Sequence, residues 1–220
     1  MHFCYYLCMI EIKNLNIKYI EKFYSIYNLN LKIEKNTLLI GDQLSGDYAL
    51  LRAIANINKN YKGEILLDNK PIKKFSAKRL NLAYLPETPT LFGNLNVQQN
   101  IEYTLKIRKY KKAERDTIIE NILQKYDIKF ENEKAKNLSL SQAKIVALLR
   151  AIVRKPSIIL IEHLFADLES EYVELANKII ADLPPETLII DCEIEKQNCH
   201  QNFDCHTLQN GSLLENKKTP

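Results

Sequence analysis

The chain has 220 residues, 46% of them hydrophobic and 26% charged, with a formal net charge of +4. That length fits one domain, or one domain with an inserted subdomain, and the composition supplies a real core, which excludes a disordered or fibrous chain. The small positive excess gives no bulk field for nucleic acid, and no apolar run nears the roughly 18 residues of a membrane span.

Residues 1–8, within MHFCYYLCMI, are apolar but too short for a span, and they lack the basic region and cleavage site of a signal peptide. They read as a leader or start-site artefact ahead of a strand that opens near Met9. Alternation of Ile10, Ile12, Leu15 and Ile17 predicts a strand over 10–17, ended by Tyr19. A second alternating strand covers 26–33. Thr37–Ile40 is a short apolar run of the kind buried in parallel sheets. A helical face, Leu50, Leu51, Ile54 and Ile57, follows over 47–57. Further strands are predicted at 63–68, with a turn at Asn69-Lys70-Pro71, and at 80–85. Lysine-rich helical periodicity then places helices at 97–109 and 112–126; the run KIRKYKK, 106–112, reads most simply as a solvated helix end. A strongly apolar helix over 142–154 leads to a buried strand at 157–161. A helix at 170–181, a strand at 187–190 and a hairpin over 207–214, turning at Asn210-Gly211, complete the chain. Alternating strands and helices predict an α/β fold with a mainly parallel sheet, and the early strands an antiparallel layer beside it.

The chain has five glycines, and two of them, Gly41 and Gly46, frame the stretch GDQLSGDY between the apolar run and the first helix. Strand, glycine-framed turn and helix start are the setting of a phosphate-binding loop, where backbone N–H groups and a helix N-terminus surround phosphate oxygens. Such a loop continues with lysine and a small hydroxyl; here Asp47 and Tyr48 follow Gly46.

Several stretches in order resemble the ATP-binding cassette (ABC) ATPases, the nucleotide-binding subunits of ABC transporters. These are GDQLSGDY, LAYLPETPTLFGNLNVQQNIEY (82–103), LSLSQ (138–142) and KIVALLRAIVRKPSIILIEHLFADLE (144–169). The resemblance runs from about Met9 to Leu214. It implies a P-loop core with an antiparallel β layer and an inserted helical subdomain near 92–140, a domain over 9–215 and a tail at 216–220. It puts Tyr19 where an aromatic stacks on adenine, and Gly41, Ser45, Gly46, Asp47 and Tyr48 in the phosphate loop. Glu87 stands in place of the Q-loop glutamine, and Ser139 and Gln142 in the signature. Glu162 takes the place of the Walker B aspartate, a candidate for a magnesium shell. His163 takes that of the catalytic glutamate. Glu193 falls near the switch histidine, with Asp191 the alternative.

The departures bear on the chemistry. Asp47 reverses the charge that would neutralise phosphates, and one unit charge at ~4 Å in a partly screened site is worth about 4 kcal/mol. Hydrolysis needs a group that orients the attacking water; His163 could accept a proton but not hold the phosphates. The resemblance therefore implies ATP and magnesium as cofactors bound weakly, with hydrolysis lost or strongly impaired. Its implied partners are a membrane permease and a second ABC subunit, at the inner face of the membrane, without nucleic acid. A nucleotide-independent interaction or regulatory module, or a still-active ATPase driving transport, is the alternative.

Five cysteines, Cys4, Cys8, Cys192, Cys199 and Cys205, make no even framework and no CxxC pair, which suits a reducing cytosol. The segment carrying Cys192, Cys199, His200, Cys205 and His206 invites a zinc reading, but the spacings are loose, and adjacent residues on a strand face opposite ways.

Overall fold

The computed structural model describes residues 8–20, 23–41, 45–76 and 79–214. The leader apart from Cys8, the tail, residues 42–44 of the glycine-framed loop and the Tyr19 side chain lie outside the described residues.

Two sheets form the frame. In the first, β1 (Ile10–Ile20) lies between β2 (Phe23–Ile33) and β4 (Lys62–Leu67), antiparallel to both, and β5 (Lys70–Pro71) continues the sheet beside β4. Ile10 faces Ile33, Ile12 faces Leu31, Leu15 faces Leu29 and Ile17 faces Ile26. These are the alternating residues of the sequence, and all are buried, so one face of the ribbon closes on the core. The turn before β5 falls on Asp68 and Asn69, at φ 49° and 62°, not on 69–71. Asp and Asn tolerate the left-handed region, whereas proline cannot enter it and here sits on an edge strand.

The second sheet runs β10-β9-β3-β8-β7-β6. Strands β3 (Thr37–Ile40), β6 (Leu82–Leu85), β7 (Ile158–Glu162), β8 (Leu188–Glu193) and β9 (Asp204–Gln209) are parallel to their neighbours; β10 (Ser212–Leu213) turns back on β9. The antiparallel layer and mainly parallel sheet agree with expectation. Strand β8 runs to Glu193 rather than 190, which places Asp191, Cys192 and Glu193 inside the sheet. Strand β9 begins before the predicted hairpin, and β6 begins at Leu82 rather than 80.

Helices are α1 (Asp47–Ile54), α2 (Val97–Ile107), α3 (Lys112–Lys125), α4 (Leu140–Ile152) and α5 (Ser170–Ala181). Helix α1 stops short of the expected Ile57 because Asn56 turns to φ 59°. Helix α4 starts two residues earlier than expected, at Leu140, because Ser139 caps it. The parallel sheet is buried on both faces. Along β7, Ile158 and Leu160 join the core shared with α1 and the antiparallel sheet, and Ile159 and Ile161 join the core under α2, α4 and α5. That explains why these strands read as unbroken apolar runs.

Candidate functional site

Because β3, β6, β7 and β8 are parallel, their carboxyl ends lie along one edge of the sheet. Ligand sites of open α/β sheets form there. Gly41 follows β3, Glu87 follows β6, Glu162 and His163 end β7, and Glu193 ends β8. Residues more than a hundred positions apart in the chain are thus brought to one place by strand direction alone.

The framing glycines are fixed by close approach. A Cβ on Gly41 would lie 2.4 Å from the Ser45 Cβ, and one on Gly46 2.0 Å from the Ser25 carbonyl oxygen. Gly46 also takes φ 92°, which favours glycine, and it is the N-cap of α1 without a side-chain cap. Ser45 Oγ accepts the Asp47 N–H at 3.3 Å, and the Asp47 carboxylate accepts the Tyr48 N–H at 2.8 Å. Asp47 therefore serves the helix start from its first turn.

Its other oxygen points across the site. Asp47 Oδ2 lies 2.8 Å from His163 Nε2, and both side chains are buried. The hydrogen bond to Asp47 raises the His163 pKa above its ordinary value, against the opposing effect of burial. Next in sequence, the Tyr48 hydroxyl donates to Glu87 Oε2. Two consecutive residues of α1 thus bond to the ends of two different strands. Tyr84, on β6, donates its hydroxyl to Glu162 Oε1 at 2.6 Å, and burial raises the Glu162 pKa.

Glu193 is 3% exposed, and Oε1 accepts the Phe165 N–H at 3.0 Å. Burial, then the neighbouring Asp191, push its pKa up to about 8, which favours the neutral acid. Asp191, the alternative at this position, bonds His200 Nε2 at 2.8 Å. His200 Nδ1 accepts the Gln197 N–H at 3.0 Å, which puts the imidazole proton on Nε2. With both ring nitrogens engaged, His200 serves the fold beneath β8, which leaves the cysteine–histidine segment without its most central metal donor.

At the start of α4, Ser139 Oγ accepts the Gln142 N–H at 3.2 Å and Gln142 Oε1 accepts the Ser139 N–H at 3.0 Å. The two signature candidates are a reciprocal capping box. Leu140 beside them is 49% exposed. Ser141 Oγ accepts the Glu169 N–H at 3.1 Å, joining this helix start to the turn after β7.

Sequence reasoning missed Lys144. Buried on α4, it donates to the carbonyls of His163, Leu164 and Ala166 at 3.0, 3.2 and 2.6 Å, and burial lowers its pKa. A lysine immediately ahead of the unbroken apolar run 145–149 was the available signal. Tyr84 carried none, since an aromatic within an apolar strand looks like core.

Residues 24–163 match the family described as ABC transporter. The chain belongs to the ABC transporter family. It is 30% identical, over 80% of its length, to the molybdate/tungstate import ATP-binding protein WtpC of Methanocaldococcus jannaschii, of which it spans 58%. It is 31% identical, over 77% of its length, to the Fe(3+) ions import ATP-binding protein FbpC of Fusobacterium nucleatum, of which it spans 47%. The chain thus spans about half the length of these ABC relatives. The dimeric structure of the bacterial ABC transporter cassette MJ0796 superposes with TM-score 0.81 at 24% identity, over 93% of this chain and 96% of that one. A second structure of that cassette, bound to ADP and Pi, gives TM-score 0.80. These likenesses establish the ABC ATPase fold. Among the described residues no helix is long and apolar enough to cross a membrane.

Proposed function

We propose that this chain is an ABC transporter subunit of ATP-binding type that docks on a membrane permease, with ATP binding weakened and hydrolysis lost or strongly impaired. The observation that carries this reading is the buried Asp47–His163 pair, 2.8 Å across the loop that the family resemblance assigns to phosphate. A bound triphosphate would meet a carboxylate where a cation is needed, and that carboxylate is already held by a buried histidine. His163 is a poor proton acceptor while its Nε2 is engaged by Asp47. Lys144 offers no substitute cation, since its ammonium is spent on three backbone carbonyls. Glu162 retains a carboxylate for magnesium, but it is bonded to Tyr84 and favoured in its neutral form by burial. The residues present do not fit a magnesium–triphosphate group, and no catalytic step is assigned to them.

The helical segment between β6 and β7 is the inserted subdomain in this reading. Phe92 and Tyr103 stand 42% and 36% exposed there with ring centroids 4.4 Å apart, an aromatic face suited to a membrane subunit. Named relatives are import ATP-binding proteins, which favours an importer, in this reading one whose second cassette is the more active. Docking on the permease, paired head to tail with that cassette, would place the chain at the inner face of the membrane.

Titration of the purified chain with ATP and magnesium tests the reading. Expected are negligible turnover and weak binding, with binding recovered in Asp47→Lys/Tyr48→Ser/His163→Glu. Turnover by the unaltered chain that disappears in His163→Ala would overturn it. Recovery of no permease from solubilised membranes would favour a nucleotide-independent module on the same fold.

A further inference from the structure

The run KIRKYKK places five cations, Lys106, Arg108, Lys109, Lys111 and Lys112, in seven residues without one acidic side chain. The structure gathers them at the turn between α2 and α3. Helix α2 ends as Tyr110 N–H bonds the Leu105 carbonyl at 3.2 Å and Lys109 N–H bonds that of Lys106 at 2.9 Å, with Lys109 at φ 64°. This is a left-handed helix end of the kind that usually carries glycine. Glu102 holds the turn from below, accepting Lys106 Nζ at 2.8 Å and Arg115 Nε at 2.7 Å. Lys109, Lys111 and Lys112 are exposed and make no ion pair among the described residues.

An exposed apolar side chain stands inside this cationic turn. Ile107 is 64% exposed, and one helical turn before it is Tyr103, whose ring lies 4.4 Å from that of Phe92, tilted by 50°. Residues four apart share a helix face, so Tyr103 and Ile107 form an exposed apolar pair beside the cluster of cations.

We propose that the 106–112 turn is a contact for an anionic lipid surface, with Ile107 entering the headgroup boundary and the lysines facing lipid phosphates. Clusters of four to eight cations are attracted to anionic leaflets, and aliphatic and aromatic side chains add to that attraction at the bilayer interface. Nucleic acid accounts for the cations but not for an exposed isoleucine among them. The inference goes beyond the transporter reading, because a vesicle contains neither permease nor nucleotide.

Flotation of the purified chain with phosphatidylcholine vesicles, with and without phosphatidylglycerol, tests it. Expected is binding to the anionic vesicles only, weakened by salt. Each lysine removed should weaken it about fivefold, so Lys109→Gln/Lys111→Gln/Lys112→Gln should lose roughly a hundredfold. Ile107→Ser should lose roughly tenfold. All four side chains are exposed, so the variants keep the fold, and an unchanged thermal melt verifies this. The proposal is overturned by equal binding to neutral vesicles, by triple-variant binding equal to that of the unaltered chain, or by binding to duplex DNA or RNA but not to vesicles.

Discussion

The His163 imidazole and the Asp47 carboxylate, 116 positions apart in sequence, meet at 2.8 Å in the buried centre of the site. Each stands where the ABC resemblance expects the opposite charge, so the exchange at one position is answered at the other. Breaking one partner leaves the other buried and unpaired. Asp47→Ala and His163→Ala should each lower stability by about 3 kcal/mol, and the double variant by about 2 kcal/mol less than their sum. Urea unfolding of the four proteins checks the cycle.

Stability should fall as pH rises across the neutral range. Glu193 titrates near 4.5 when exposed and at about 8 in the fold, so between those values the folded chain binds the extra proton. Proton uptake on folding means that stability is lost as pH increases. His163 acts in the same direction: its raised pKa makes its contribution full below about 6.5 and lost as pH rises through the higher folded value. Urea midpoints from pH 5 to 8, on the order of the range those values span, should decline, and Glu193→Gln should flatten the decline.

Lys144 binds the turn after β7 to α4 through three carbonyls. Lys144→Met keeps the aliphatic stem and removes all three donors. Buried acceptors without partners cost about 1–3 kcal/mol each at most, and water reaching the outer carbonyl reduces the sum. A loss of about 3 kcal/mol is expected, with faster amide exchange confined to residues 163–169.

Gly46→Ala tests the tightest backbone approach in the loop. The added carbon would overlap the Ser25 carbonyl oxygen at 2.0 Å and strain a φ of 92°. Left-handed strain alone is worth about 1–2 kcal/mol, and displacement of β2 adds to it, so a loss of about 3 kcal/mol or more is expected in thermal or urea unfolding.

Ser139→Ala removes one half of a capping box and should cost about 1 kcal/mol. Because Ser139 caps α4 from the exposed surface, this loss should appear in stability with no change at the Asp47–His163 pair, read from the His163 ring resonances.

Local pattern carried a large part of the fold. The alternation of Ile10, Ile12, Leu15 and Ile17 and the apolar runs of β3 and β7 identify strands because a strand's period, or its burial on both faces, is written in consecutive residues. The glycine-framed loop was legible because a positive φ and a close approach leave few residue types. Boundaries were less so: β8 extends through Asp191 and Glu193, polar residues that sequence alone assigns to a loop but that burial and register keep in the sheet.

What the sequence by itself determined is the order of the elements, the ABC resemblance, and the reversal of charge at Asp47. It could not determine what that reversed charge faces. Only tertiary structure decides that Asp47 bonds His163, that Tyr48 bonds Glu87, and that Lys144 is spent on backbone carbonyls. The physical reason is strand direction. Parallel strands deliver their carboxyl ends to one edge, and the partners that meet there come from segments whose separation along the chain carries no trace of the contact.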